Sequence, residues 1–393
     1  MNILAIETSC DETAISLFTA NETDIGIGFN VLSNITHSQV DMHVQYGGVF
    51  PQLAKREHQR NLVPILLKTL GLELKEGNTN SNPEINSILE REVELLEQFN
   101  RYILSIPKPD IDIICVTSGP GLEPALWVGI SFAKALGKLW NIPVVPVNHM
   151  EGHILSVLVP ENNSGDFSVS TELFPFPALA LLISGGHTEM VLVRDLGDYE
   201  IVGKTRDDAV GEAFDKTARI LGLPYPGGPE VSKLALQHDK SMGTNIELPR
   251  PMIHSGDLTM SFSGLKTAVL TLINNLTAQN IILEGQVLQD IARSIEESIT
   301  DVLVKKSIMA LKQTQIKTLV VSGGVSANLR LREKLDIELS KIQAKAFYPP
   351  LRLCTDNGAM IALAGAIRLK QQKFTYNFNV HPRWDLTTLA SNQ

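Results

Sequence analysis

The chain has 393 residues, 44% of them hydrophobic and 20% charged, with a formal net charge of −9, which is ordinary for a globular protein and long enough for two domains. The acidic balance disfavours a protein that binds nucleic acid over its whole surface, while permitting a local basic face or a basic partner subunit. No apolar run reaches membrane-spanning length and no signal or transit pattern opens the chain; three scattered cysteines, Cys10, Cys115 and Cys354, argue against a disulfide framework, so a reducing, cytoplasmic location is the expectation.

Residues 2–6 read as a strand, Glu7-Thr8-Ser9-Cys10-Asp11-Glu12-Thr13 as a tight polar loop, and 14–18 as a second strand. Tyr46-Gly47-Gly48-Val49-Phe50-Pro51 is a turn that opens a helix carrying Lys55, Arg56, His58 and Arg60. That basic cluster has two readings, contact with RNA phosphates or a solvated helix face. Residues 76–83 read as an Asn/Ser/Gly linker, and 85–103 as an amphipathic helix with apolar residues at Ile85, Ile88, Leu89, Leu96, Phe99 and Ile103. Together they look like one insertion, and residues 161–171 look like a second. Residues 111–116 form a buried strand, Ser118-Gly119-Pro120-Gly121 its exit loop, 125–140 a helix, and 142–147 a strand.

That last strand delivers the chain to Asn148-His149-Met150-Glu151-Gly152-His153. Histidines at i and i+4 of a helix lie on one face, where two imidazoles can serve one metal ion; the alternative is a chance pair of surface or capping histidines. The best third ligand is Asp356, in a polar stretch (Cys354-Thr355-Asp356-Asn357) just before an apolar helical run. Residues 161–171 read as a polar surface loop.

The opening hairpin then recurs. Residues 178–183 are a strand, Ser184-Gly185-Gly186-His187-Thr188 a loop, and 190–193 a strand. Two copies of one device suggest a duplicated domain, and the Gly-Gly pair lets backbone N–H groups approach a phosphate. Residues 208–221 form a helix on which Asp215 either accepts from a ribose hydroxyl or pairs with Lys216 or Arg219. Pro224-Tyr225-Pro226-Gly227-Gly228-Pro229 is a rigid turn before another helix, Phe262-Ser263-Gly264-Leu265-Lys266 opens a further one, and 286–311 is long and amphipathic. Residues 318–321 are a strand leading through Ser322-Gly323-Gly324-Val325-Ser326-Ala327-Asn328 into a helix with Arg330, Arg332 and Lys334. Strand, Gly-Gly loop and helix N-terminus favour an anion, although neither the dinucleotide fingerprint nor a P-loop is present.

These motifs, in this order, resemble the tRNA N6-adenosine threonylcarbamoyltransferases of the TsaD type, formerly described as glycoproteases. The likeness spans Ile6 to Asp356 and extends to the tail Val380-His381-Pro382-Arg383-Trp384. It implies an α/β, actin-like duplicated two-lobe fold of the sugar-kinase and Hsp70 type with a central cleft. The expected lobes are 1–147, with an inserted helix at about 76–104 and a tail at about 366–393 packing back on it, and 148–365. It also implies that His149, His153 and Asp356 bind one divalent metal, iron before zinc. Leu182, Ile183, Ser184, Gly185, Gly186, Asp215, Gly228 and Asn328 are implied to line the nucleotide site. The implied reaction moves threonylcarbamoyl from threonylcarbamoyl-AMP to N6 of adenosine 37 in tRNAs that read codons beginning with A. An inactive paralogue and a small P-loop ATPase are the implied partners. No general base is singled out; Asp11 and Glu12 are the candidates. Ser232 stands where many relatives carry Asp, and the segments 85–103 and 161–171 are longer than the family leads one to expect.

Other classes remain to be weighed. A metallopeptidase would use Glu151 between the histidines, but the order is not H-E-x-x-H and i+2 points off their face. A sugar-kinase-like ATPase would not need the histidine pair. A scaffold that had lost its chemistry would not keep all three ligand types.

Overall fold

The apolar runs at 2–6 and 14–18 do form a hairpin. In the computed structural model, β1 (Asn2–Glu7) pairs antiparallel with β2 (Glu12–Thr23), Ile3 opposite Phe18 and Glu7 opposite Ala14. β3 (Gly26–Ser38) follows, then the single turn α1 (Val40–His43) and α2 (Pro51–Thr69), whose first residue is a proline pre-set for a helix start. The residues described are 1–23, 26–77, 81–159, 166–169, 176–239, 241, 246–370 and 378–389.

The helix expected over 85–103 is broken in three. Asn82 caps α3 (Pro83–Leu89), α4 (Val93–Gln98) follows, and a π-helical turn covers Phe99–Ile103. The break lies at Glu92, which is buried against α2, where it accepts from Gln59 Nε2 at 2.9 Å and pairs with Lys55 at 3.0 Å. A polar anchor thus overrides the apolar periodicity. The all-buried β4 (Ile113–Gly119) is the central parallel strand its composition implies. α5 (Glu123–Trp140), β5 (Val144–Asn148) and α6 (His149–Leu155) come next, and then β6 (Asp166–Val169). The loop expected over 161–171 lies outside the described residues apart from that strand. The first sheet runs β5-β4-β1-β2-β3-β6.

The next stretch builds a second sheet from β7 (Ala178–Ile183), β8 (Thr188–Asp195) and β9 (Asp198–Lys204). Helices α7 (Val210–Ile220), α8 (Gly227–Ala235), α9 (Ser263–Ala278) and α10 (Gly285–Thr314) follow. β10 (Thr318–Ser322), α11 (Leu329–Lys341) and β11 (Lys345–Phe347) complete it, and the chain ends with α12 (Gly358–Lys370) and the tail. α8 begins inside the proline-glycine turn that the sequence placed before it.

The second sheet runs β11-β10-β7-β8-β9. Five strands of the first repeat that plan: a three-strand antiparallel meander with two parallel strands beside its first member. The duplication read from two hairpins therefore extends to whole sheets.

Two compact units result: Met1–Met42 with Val49–Phe174 and Thr355–Gln393, and His43–Gly48 with Pro175–Cys354. The expected boundary at 147/148 and the span 148–365 need correction. α6 grows directly out of β5, and α12 packs on β1, β2 and β5, so both belong with the first unit. Each unit has its own core, one around Leu4, Ile6, Val116 and Phe132, the other around Leu181, Phe214, Ile295 and Val321.

In the second unit α10 and α11 are tied by charge. Glu297 takes Arg330 Nε at 2.7 Å, Arg293 Nη2 at 2.5 Å and the Lys334 ammonium. Burial works against its ionisation, but the hydrogen bonds from Arg330 and Lys334 prevail and hold its pKa down at about 2. Because the folded pKa is depressed, the contribution is complete above the ordinary value of 4.5 and is lost as pH falls toward about 2. Glu297→Gln is expected to lower stability at pH 7 by about 1–3 kcal/mol. It should also flatten the acid limb of the stability profile, as urea unfolding at a series of pH values would show.

Candidate metal centre and nucleotide-binding loops

The metal-ligand candidates are assembled by a short capped helix. Asn148, the last residue of β5, accepts through Oδ1 from Met150 N at 2.9 Å and Glu151 N at 3.2 Å, which starts α6. The His149 and His153 rings then stand edge to face, 4.6 Å between centroids. Both Nε2 atoms point at one oxygen, Asp356 Oδ1, at 3.3 Å from His149 and 3.0 Å from His153. One ligand atom from each of the three lies within 4.8 Å of the others, and both histidines are buried.

Behind the ligands stands a residue the sequence reading passed over. Glu7 Oε2 lies 3.0 Å from His149 Nδ1 and accepts from Thr117 Oγ1 at 2.5 Å, while Oε1 accepts from Ser9 N at 2.5 Å. Ser9 Oγ is 3.2 Å from the same Nδ1 and 3.5 Å from Asp356 Oδ2. A carboxylate on Nδ1 assigns the proton there and turns the Nε2 lone pair toward Asp356, the arrangement of a metal-binding imidazole. The signal was its position: Glu7 is the first polar residue after an apolar strand.

The electrostatics suit a cation. Burial opposes ionisation of Asp356, but His149 and His153 more than offset it and hold the carboxyl far below its usual range. Burial likewise opposes Glu7, and His149 with Thr117 keeps it ionised. His149 is disfavoured as a cation by burial, yet Asp356 and Glu7 push its pKa well up. Glu12, half-buried, is driven well above the carboxylate range by burial and then by Asp11 and Asp356. Three donors of the right kinds within reach of one point, amid more carboxylates than counter-charges, fit a divalent metal.

The surroundings hold this first loop in place. His58 donates through Nε2 to Cys10 O at 3.0 Å and accepts at Nδ1 from Thr13 Oγ1 at 2.8 Å. It is therefore a loop anchor. Its companions do not form a free basic patch: Lys55 pairs with Glu92, Arg60 with Glu57 and Glu94, and Arg56 lies 3.7 Å from Glu57. The tail braces the same region. His381 N donates to Ser118 O at 2.8 Å, Gly121 N to Pro382 O at 3.1 Å, and Asn148 Nδ2 to Trp384 O at 3.3 Å.

The second unit carries the candidate nucleotide residues. Leu182 and Ile183 are buried at the end of β7 and act as core. Ser184 turns the loop, its Oγ accepting from His187 N at 3.1 Å and Gly186 N at 3.3 Å. Gly185 and Gly186 are exposed, with open space where a side chain would go. Gly323, at φ +90°, brings the second glycine loop against β7: a Cβ there would sit 2.5 Å from Ile183 O. Asp215 Oδ1 accepts from Gly227 N at 2.7 Å, and Gly228 lies beside Phe214. The pairing of Asp215 with Lys216 is not what forms, since Lys216 takes Asp208 and Glu212 instead. Asp215 also lines a cavity of about 120 Å³ with Arg219 and Tyr225. Asn328 caps α11 through Leu331 N at 2.7 Å and donates to Ser232 Oγ and Glu296 Oε1, each at 2.9 Å. Its side chain thereby braces the wall.

The family model for tRNA N6-adenosine threonylcarbamoyltransferase matches residues 30–76 and 95–363. The chain belongs to this family. The enzyme of that name from Chromobacterium violaceum is 46% identical over 391 residues, covering 100% of both chains. The Burkholderia ambifaria enzyme is 46% identical over 398 residues, covering 99% of this chain and 100% of its own. Among solved structures, full-length HypF in its phosphate- and nucleotide-bound form aligns with a TM-score of 0.50 at 12% identity, covering 94% of this chain and 46% of that one. That likeness concerns the fold alone, and the fold is the actin-like α/β type.

In this threonylcarbamoyltransferase Gly119 lets the tail pack closely on β4. At φ +150° a Cβ would fall 1.8 Å from His381 O. Gly119→Ala is expected to lose about 2 kcal/mol or more and to make residues 378–389 susceptible to limited proteolysis, read by thermal melting and mass mapping.

Proposed function

We propose that the chain transfers the threonylcarbamoyl group from threonylcarbamoyl-AMP to N6 of adenosine 37 in tRNAs reading codons that begin with A. Membership of the transferase family supports the reaction class, and the buried cluster of His149, His153 and Asp356 is the observation that carries the site. Two imidazoles and one carboxylate suit Fe2+ first and Zn2+ second. Bound there, such an ion supplies Lewis-acid and template chemistry toward the donor's oxygens.

The chain's own residues do the rest. The exposed backbone at Gly185 binds phosphate, and Asp215 with Gly228 holds the ribose side. Nitrogen N6 forms a bond to the donor carbonyl carbon, the carbon–oxygen bond to phosphate breaks, AMP leaves, and the N6 proton passes to a first-loop carboxylate. Asp11 and Glu12 are the two candidates there. tRNA is the partner substrate, and an inactive paralogue with a small P-loop ATPase completes the working complex in the cytoplasm. Among the described residues no helix is long and apolar enough to cross a membrane. The peptidase reading loses its general base: Glu151 is buried and bonded to Arg368 Nε at 2.8 Å.

The test mixes purified protein with unmodified tRNA and threonylcarbamoyl-AMP, with and without those partners, and looks for threonylcarbamoyladenosine by mass spectrometry. His149→Ala should lose metal and product together. Product from a metal-free variant would remove the metal role, and no product from folded, metal-loaded wild type would remove the proposal. A second variant probes the loop. Gly185→Ala has room for its methyl group, so stability should stay within about 0.5 kcal/mol while the half-saturating donor concentration rises severalfold.

A further inference from the structure

Glu151 sits between the two metal-ligand histidines in sequence, but at i+2 it leaves their face and points to the other side of α6. There it meets Arg368, on α12, whose Nε donates to Glu151 Oε2 at 2.8 Å. The side chains are 2% and 6% exposed. The contact joins the two elements that bring the metal ligands together. α6 carries His149 and His153, and α12 begins two residues after Asp356. The helices also approach closely at Gly152, where a Cβ would lie 3.2 Å from Met360 Cγ and 3.3 Å from Ile361 Cδ1.

A buried ion pair is a poor way to gain stability. Removing two charges from water costs about as much as their attraction returns, and apolar residues of similar size often serve as well or better. Such a pair earns a positional explanation when it fixes register. Here, sliding or rotating α12 on α6 would move Asp356 relative to both Nε2 atoms and would also separate two buried charges. We propose that Glu151 and Arg368 form a clamp that sets the separation of the ligands, and so are positioning residues for the metal centre. This rests on the reading that His149, His153 and Asp356 hold the metal.

The experiment measures affinity for Zn2+ by competition with a chromophoric chelator, and records the visible spectrum of the Co2+-substituted protein. The proteins are wild type, His149→Ala, Glu151→Gln, Arg368→Lys, Arg368→Met and the double variant Glu151→Gln/Arg368→Met. Glu151→Gln and Arg368→Met are expected to bind Zn2+ about 10- to 100-fold more weakly, the range for residues that orient metal ligands. Their Co2+ bands should shift, and Arg368→Lys should recover part of both. If a single variant fails to fold, the double variant decides, since it leaves no unpaired buried charge. Regained thermal stability with affinity still weakened supports the clamp. Wild-type affinity and spectrum in the double variant would overturn it, leaving the pair a packing feature only. Tight Zn2+ binding by His149→Ala would instead overturn the metal-site reading itself, so the two failures are separable.

Discussion

Two imidazoles from one seven-residue helix converge on a single carboxylate oxygen, and much of the first unit serves that meeting. The arrangement sets a problem of charge. Asp356 and Glu7 flank His149 on opposite ring nitrogens, both are ionised, and water has little access. A proton on His149 is one way to offset them; a divalent cation at the Nε2 atoms is another. The two exclude each other at Nε2.

Close packing turns this local balance into a defined geometry. Asn148 ends β5, caps α6 and reaches the tail, so one side chain couples a strand, the ligand helix and residues 381–384. On the other flank α12 lies on the strands closely enough that a Cβ at Gly365 would fall 2.3 Å from Cys115 Sγ. Side chains of ordinary size would push α12 outward and carry Asp356 with it. Burial alone raises the Cys115 thiol to about 12, so at neutral pH it packs as a small apolar group.

What could be read beforehand followed sequence distance. The histidine pair declares itself through a spacing of four and a cap residue just before it, and Asp356 through a polar break before an apolar helix. Glu7 belongs equally to the site, but its partners Thr117 and His149 lie 110 and 142 positions away, and a single sequence holds no record of such pairings. The sheets were legible because apolar runs and glycine loops are local. The helix over 85–103 was misread because Glu92 finds its partners on α2, and periodicity counts only apolar positions. The basic stretch after Pro51 kept two readings open for the same reason: the acids that pair with Lys55 and Arg60 include Glu92 and Glu94, more than thirty positions on.

The repeated topology carries two turns of opposite electrostatic character. In the first sheet the β1–β2 connection is Thr8-Ser9-Cys10-Asp11, preceded by Glu7 and followed by Glu12, and it gathers negative charge. In the second sheet the β7–β8 connection is Ser184-Gly185-Gly186-His187, with no carboxylate and two exposed glycines. The hairpins are alike in pairing and place, so the fold itself dictates neither preference. A carboxylate-rich turn selects cations and a glycine turn selects anions. Divergence of two copies thus changes the charge of a turn without any change in how the strands pair.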